Sequence, residues 1–126
     1  MMRLLLDTQA YLWHVTDSQN LSQKAKELIL NAESIHISTV SLWEVALKVR
    51  LGKLNANLDR SIATMELSGF HELPVFSRHA AHVARLPLHH GDPFDRMLIA
   101  QAIAEDLYLV TSDRHLSQYS DLVILI

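Results

Sequence analysis

Leu122-Val123-Ile124-Leu125-Ile126 is an unbroken apolar run with no polar residue alternating into it. A strand with one wet face alternates; a continuous run suits a strand covered on both faces, as in a parallel sheet. Upstream, four further short runs read as strands: Arg3–Leu6, Ile35–Val40, Glu72–Val75 and Leu107–Thr111. Helical patterns separate them. Ala25, Leu28, Ile29 and Ala32 form a stripe behind Ser22, a natural N-cap. Ser41–Leu51 is stopped by Gly52, Ser61–Ser68 by Gly69, and Ser77–Leu86 ends before Pro87. Phe94–Asp106 carries Leu98, Ile99, Ala102 and Ile103 on one face. Strands alternating with helices predict an α/β fold, a parallel sheet of five strands with helices on both sides.

The chain has 126 residues, 49% of them hydrophobic and 20% charged. That length suits one domain, and with no repeat, linker or low-complexity stretch we place it at 1–126 without an internal boundary. Eleven basic against fourteen acidic residues give a net charge of −3, which excludes a histone-like, strongly basic nucleic-acid binder. The absence of cysteine excludes disulfide scaffolds and thiol catalysis. No apolar run approaches a membrane span, and the start is too short an apolar run for a signal peptide, so the expected location is cytoplasmic. A small chain this apolar is expected to hide surface against a partner or a second copy.

In open parallel sheets, sites form beyond the carboxyl ends of the strands. Asp7 follows Leu4-Leu5-Leu6, and Ser112 and Asp113 follow Val110-Thr111. Each has a structural alternative, a helix cap for Asp7 and a turn for Asp113. Glu44 interrupts an apolar stripe of Val40, Leu47 and Leu51 on a helix expected to be mostly buried, where Lys48, one turn on, is the structural partner. Asp92-Pro93-Phe94-Asp95 reads as a helix start with Asp92 as cap. Asp95 shares the stripe of Leu98, Ile99, Ala102 and Ile103, a face a capping acid has no reason to occupy. Converging carboxylates repel unless cations are present, and oxygen-only ligands suit Mg²⁺ or Mn²⁺. Such ions activate water and stabilise phosphodiester displacement. The eight histidines give no zinc pattern: His89 and His90 are adjacent, and His79 and His82 lack a third ligand. Trp13 and Trp43 read as core residues, with a place lining a partner's groove as the alternative for either.

With these segments in place the chain resembles the PIN-domain family, specifically the VapC-type toxins of bacterial toxin–antitoxin pairs. The resemblance spans residues 3–126. It is carried by Leu4-Leu5-Leu6-Asp7-Thr8, the helix Ser41-Leu42-Trp43-Glu44 with Lys48, Leu51-Gly52-Lys53-Leu54, Asp92-Pro93-Phe94-Asp95-Arg96-Met97-Leu98-Ile99-Ala100, and Val110-Thr111-Ser112-Asp113. The family implies a PIN-like three-layer α/β/α sandwich with a mostly parallel central sheet, and a metal-dependent endoribonuclease whose acids match Asp7, Glu44, Asp95 and Asp113. Many relatives carry a further acid where this chain has Leu116, so one Mg²⁺ or Mn²⁺ ion is a safer expectation here than two. Thr8, Thr111 and Ser112 would position the carboxylates. Arg96, Arg114 and Lys48 are the basic residues that would meet RNA or an antitoxin. The implied partners are an RNA substrate of the tRNA or rRNA class, a cognate VapB-type antitoxin that plugs the site, and a second copy in a homodimer; the implied products carry 5′-phosphate and 3′-hydroxyl ends. A PIN-domain RNA-processing nuclease without an antitoxin and a catalytically silent PIN-like binding module are the alternatives. A phosphoacceptor receiver domain would need an acceptor Asp after the third strand, where Phe76-Ser77 follows Val75. A haloacid-dehalogenase-like phosphatase would need an Asp at the position of Gln9.

Overall fold

A computed structural model describes all residues, Met1–Ile126. The elements are β1 (Arg3–Leu6), α1 (Thr8–Val15), α2 (Gln23–Asn31), β2 (Ser34–Ser38), α3 (Thr39–Arg50), α4 (Leu58–Leu67), β3 (His71–Leu73), α5 (Ser77–Val83), α6 (Pro93–Glu105), β4 (Tyr108–Thr111), a 3-10 turn (Arg114–Gln118) and β5 (Val123–Leu125). The five strands form one sheet in the order β3-β2-β1-β4-β5. Every neighbouring pair is parallel.

β1 shows how the sequence makes three layers. Its side chains alternate across the sheet. Leu5 joins a core with Leu109 of β4 and Leu98, Ile99 and Ala102 of α6. Leu4 and Leu6 join the opposite core, with Ile35 and Ile37 of β2, Ala10 and Tyr11 of α1, and Met65 of α4. Both faces of the central strand are dry, which is why Leu4, Leu5 and Leu6 can all be apolar.

Local chemistry moves several boundaries from their expected places. α3 starts at Thr39, because the Ser38 hydroxyl accepts the Val40 N–H at 3.0 Å and caps the helix before the expected strand has ended. β3 stops at Leu73, since Pro74 has no N–H to give the ladder. Gly52 and Gly69 follow α3 and α4 with φ of 73° and 74°, the left-handed conformation that ends a helix most cheaply with glycine.

Two burial expectations are corrected. β5 lies at the sheet edge with only β4 beside it. Val123 packs toward one core and Ile124 and Ile126 toward the other, as the continuous run predicts, yet all three stay half-exposed. α3 is not buried all round: Trp43 is 62% exposed and Leu47 and Leu51 are also open to solvent. Trp43 is therefore not a core residue; it meets the Phe94 ring edge-on with centroids 5.0 Å apart. Trp13 is half-buried. No helix is long and apolar enough to cross a membrane.

Leu98 is fully buried between α6 and the sheet, whereas Leu30 on α2 is 83% exposed. Leu98→Ala should cost about 2–5 kcal/mol. Leu30→Ala should stay within about 0.5 kcal/mol of the wild type. Urea unfolding of the two variants checks the assignment of the core.

Candidate active site

The strand order reverses direction at β1: β2 and β3 lie to one side, β4 and β5 to the other. Such a switch opens a crevice beyond the carboxyl ends of the strands. Asp7 ends β1 and Asp113 follows β4 at this edge. Glu44 enters from the second turn of α3 and Asp95 from the first turn of α6. All four line one cavity of about 410 Å³.

Each acid is held by hydrogen bonds that its local sequence supplies. Asp7 Oδ1 accepts the Ala10 N–H at 2.8 Å, capping α1, and Oδ2 accepts the Thr111 hydroxyl at 2.6 Å. The Asp7 N–H itself donates to the Val110 carbonyl at 3.0 Å, tying the end of β1 to β4. Glu44 Oε1 accepts the Thr8 hydroxyl at 2.6 Å, and Thr8 lies 2.9 Å from the buried Ser41 hydroxyl. Glu44 Oε2 pairs with Lys48 Nζ at 2.8 Å. Asp113 Oδ1 accepts the His115 N–H at 2.9 Å and so opens the 3-10 turn. Its Oδ2 lies 3.0 Å from His90 Nε2. Asp92 is a cap, as read from the sequence: its Oδ1 accepts the N–H groups of Phe94 and Asp95 at 2.8 and 3.1 Å. It nonetheless lines the same cavity.

The electrostatics follow from this crowding. Burial, opposed by the Thr111 and Ala10 hydrogen bonds and reinforced by Glu44 and Asp113, pushes the Asp7 carboxyl up to about 6. Burial and the charges of Asp92 and Asp7 push Asp95 up to about 7. The hydrogen bond from Lys48 to Glu44 raises the lysine in turn. Carboxyls that resist ionisation through burial, and to a lesser degree through one another's charges, fit a hard divalent cation, which would replace their protons. Asp7, Glu44, Asp95 and Asp113 would be oxygen donors to it; Thr111 and Thr8 fix two of them by donating from buried hydroxyls.

The other expected residues fall in different places. Ser112 lines the cavity, as do Lys48 and Lys53. Arg114 is exposed on the 3-10 turn and does not line it. Arg96 does not line it either. Its guanidinium donates to the carbonyls of Pro87 at 2.9 Å and Val83 at 3.2 Å, and lies near those of Leu86 and His90. That side chain is committed to the chain itself and clasps the segment between α5 and α6. Sequence reasoning missed His90, which stands against Asp113 and 3.7 Å from Asp95. The only signal was its place two residues before the Asp92 cap, since a histidine in a loop has no periodicity to break.

A family model described as "PIN domain" matches residues 4–122. Over 127 aligned residues the chain is 29% identical to Ribonuclease VapC22 of Mycobacterium tuberculosis, covering 94% of this chain and 93% of the relative. Among solved structures, VapBC2 from Rickettsia felis, bound to a DNA fragment from its promoter, superposes with a TM-score of 0.70 at 18% identity, covering 99% and 98% of the two chains. VapBC-5 from Mycobacterium tuberculosis, a toxin–antitoxin system, gives 0.66 at 21% identity over 100% and 98%.

The raised carboxyls have a consequence for stability. A folded carboxyl that titrates above its unfolded value of 3.8 stabilises fully below that value, and the contribution is lost as pH rises through about 6 for Asp7 and about 7 for Asp95. His14 and His36, lowered mainly by burial, act in the opposite direction near neutrality. Comparison with Asp7→Asn removes the aspartate together with the part of the Asp95 shift that its charge causes. In EDTA, the variant should gain on the wild type by up to about 3 kcal/mol as pH rises from about 4 to about 8. Urea unfolding across that range reads the difference, and a constant offset would contradict the assignment.

Proposed function

The chain belongs to the PIN domain family, and from that premise we propose that it is an endoribonuclease toxin using Mg²⁺ or Mn²⁺, held inactive by a cognate VapB-type antitoxin. The observation that carries this reading is the meeting of Asp7, Glu44, Asp95 and Asp113, from four separate parts of the chain, in one cavity. The separate structural contacts of these acids do not require them to meet, and a reaction at phosphorus through a divalent cation would. The likeness over nearly its whole length to a relative named a ribonuclease supports the same reaction. Solved VapBC complexes with the same fold support a protein partner.

Asp7, Glu44 and Asp95 would hold the principal ion, with Asp113 holding or orienting a second ion or the attacking water. The bound ion would lower the pKa of water and offset charge developing on the phosphate. Thr111 and Thr8 keep the carboxylates of Asp7 and Glu44 in place before any ligand arrives. Lys48 and Lys53 line the cavity wall and would meet RNA phosphates. Leu116 is fully buried, so the position expected from many relatives to carry a further acid contributes nothing to the cavity. Trp43, Leu47 and Leu51 give α3 an exposed apolar face, which supports a protein neighbour, either the antitoxin or a second copy.

Antitoxin-free protein should cleave members of a defined tRNA and rRNA panel in Mg²⁺ or Mn²⁺. The cutting should stop in excess EDTA and fall by about 100-fold or more in Asp7→Asn. Cleavage that survives both treatments would overturn the carboxylate site. A folded protein that binds Mn²⁺ but cuts nothing in the panel would overturn the ribonuclease assignment for these RNA classes.

A further inference from the structure

His90 lies on the segment between α5 and α6, half-buried, with its backbone N–H donating to the Tyr119 hydroxyl at 2.8 Å. Its ring meets the site on one side and its own loop on the other. Nε2 is 3.0 Å from Asp113 Oδ2. Nδ1 accepts the backbone N–H of Asp92 at 3.0 Å. The ligand atoms of His90, Asp95 and Asp113 lie within 4.8 Å of one another, a spacing at which three groups could share an ion.

The Asp92 amide decides against that arrangement. A backbone N–H can only donate, so Nδ1 must present its lone pair, and the neutral ring carries its proton on Nε2. A histidine ligating through Nε2 needs the reverse, a lone pair on Nε2 and a Nδ1–H given to an acceptor. What His90 offers Asp113 is a proton to donate.

We propose that His90 is a positioning residue, whose Nε2–H is directed by the Asp92 amide onto Asp113 Oδ2 and fixes that carboxylate in the cavity. Asp113 Oδ1 is already taken by the His115 N–H, so the acid is gripped from the turn that follows it and from the loop opposite. The functional consequence rests on the metal reading proposed above, in the form in which Asp113 itself holds an ion: an acid held in one orientation binds a cation without first being ordered, so loss of the donor weakens cation binding.

Two substitutions separate the two bonds of the ring. His90→Gln can place an amide N–H near the position of Nε2 while giving up the bond to Asp92. His90→Asn can place an acceptor near the position of Nδ1 while giving up the bond to Asp113. Mn²⁺ affinity, read from the paramagnetic resonance of the free ion, should change by less than about threefold in His90→Gln and weaken by about 10-fold or more in His90→Asn. Equal weakening in both, or none in either, would overturn the proposal. So would a nitrogen coupling on the bound Mn²⁺ that His90→Asn abolishes, which would make His90 a ligand. In metal-free protein, long-range proton–nitrogen correlations should show the Nε2–H tautomer, with its proton signal shifting in Asp113→Ala; a Nδ1–H tautomer or an unmoved signal would overturn the hydrogen bond. If the wild type binds no Mn²⁺, the metal reading falls, while the tautomer measurement still decides the bond between His90 and Asp113.

Discussion

Asp7 is a carboxylate that the fold cannot leave to water. It follows the middle strand of the sheet, is 7% exposed, and stands near other acids that join burial in raising its pKa. A group so placed must find donors in the protein, and nearly everything around it supplies or aligns one. The first turn of α1 gives an amide, the end of β4 gives a hydroxyl, and the Asp7 N–H returns a bond to β4. The adjoining residue, Thr8, carries the same logic outward by donating to Glu44 on α3. Two strands and two helices are thereby locked in register by groups whose reason for being polar is the acid at the centre.

The sequence reading set a structural explanation against a functional one for each acid, and in the structure the structural contacts leave the acids in one shared cavity. Asp7 caps a helix, Glu44 pairs with Lys48, and Asp113 opens a turn. All three also line the cavity with Asp95. A carboxylate has lone pairs enough to accept two or three hydrogen bonds and still offer oxygen elsewhere. Capping therefore does not compete with a role in the site; it provides the rigidity that such a role requires.

The parallel α/β plan was legible because both cores are made of short, continuous apolar runs such as Leu4-Leu5-Leu6 and Leu107–Thr111, broken by helical stripes. Glu44 and Asp95 were legible because each interrupts such a stripe. What depended on tertiary placement was not legible. The burial of β5 turned on its edge position, and the exposure of Trp43 on which side of α3 the sheet lies. Arg96 looked available because it adjoins Asp95, yet neighbours on a helix point about 100° apart, so one faces the cavity and the other the loop. His90 was hidden because a loop residue shows its importance only through contacts distant in sequence.

Arg96 grips the segment between α5 and α6 by its carbonyl oxygens, not by its side chains. Every amino acid has a carbonyl, so these contacts ask nothing of the side chains of Ala84, Arg85 and Leu88, whereas the His89 ring meets Tyr119 edge-on. Position 96 has no such latitude. A lysine is a single point of charge and cannot reach several oxygens at once as a planar guanidinium does. The arrangement gives one residue a large share of the loop's shape, beside the buried Leu86 and the hydrogen bonds of His90.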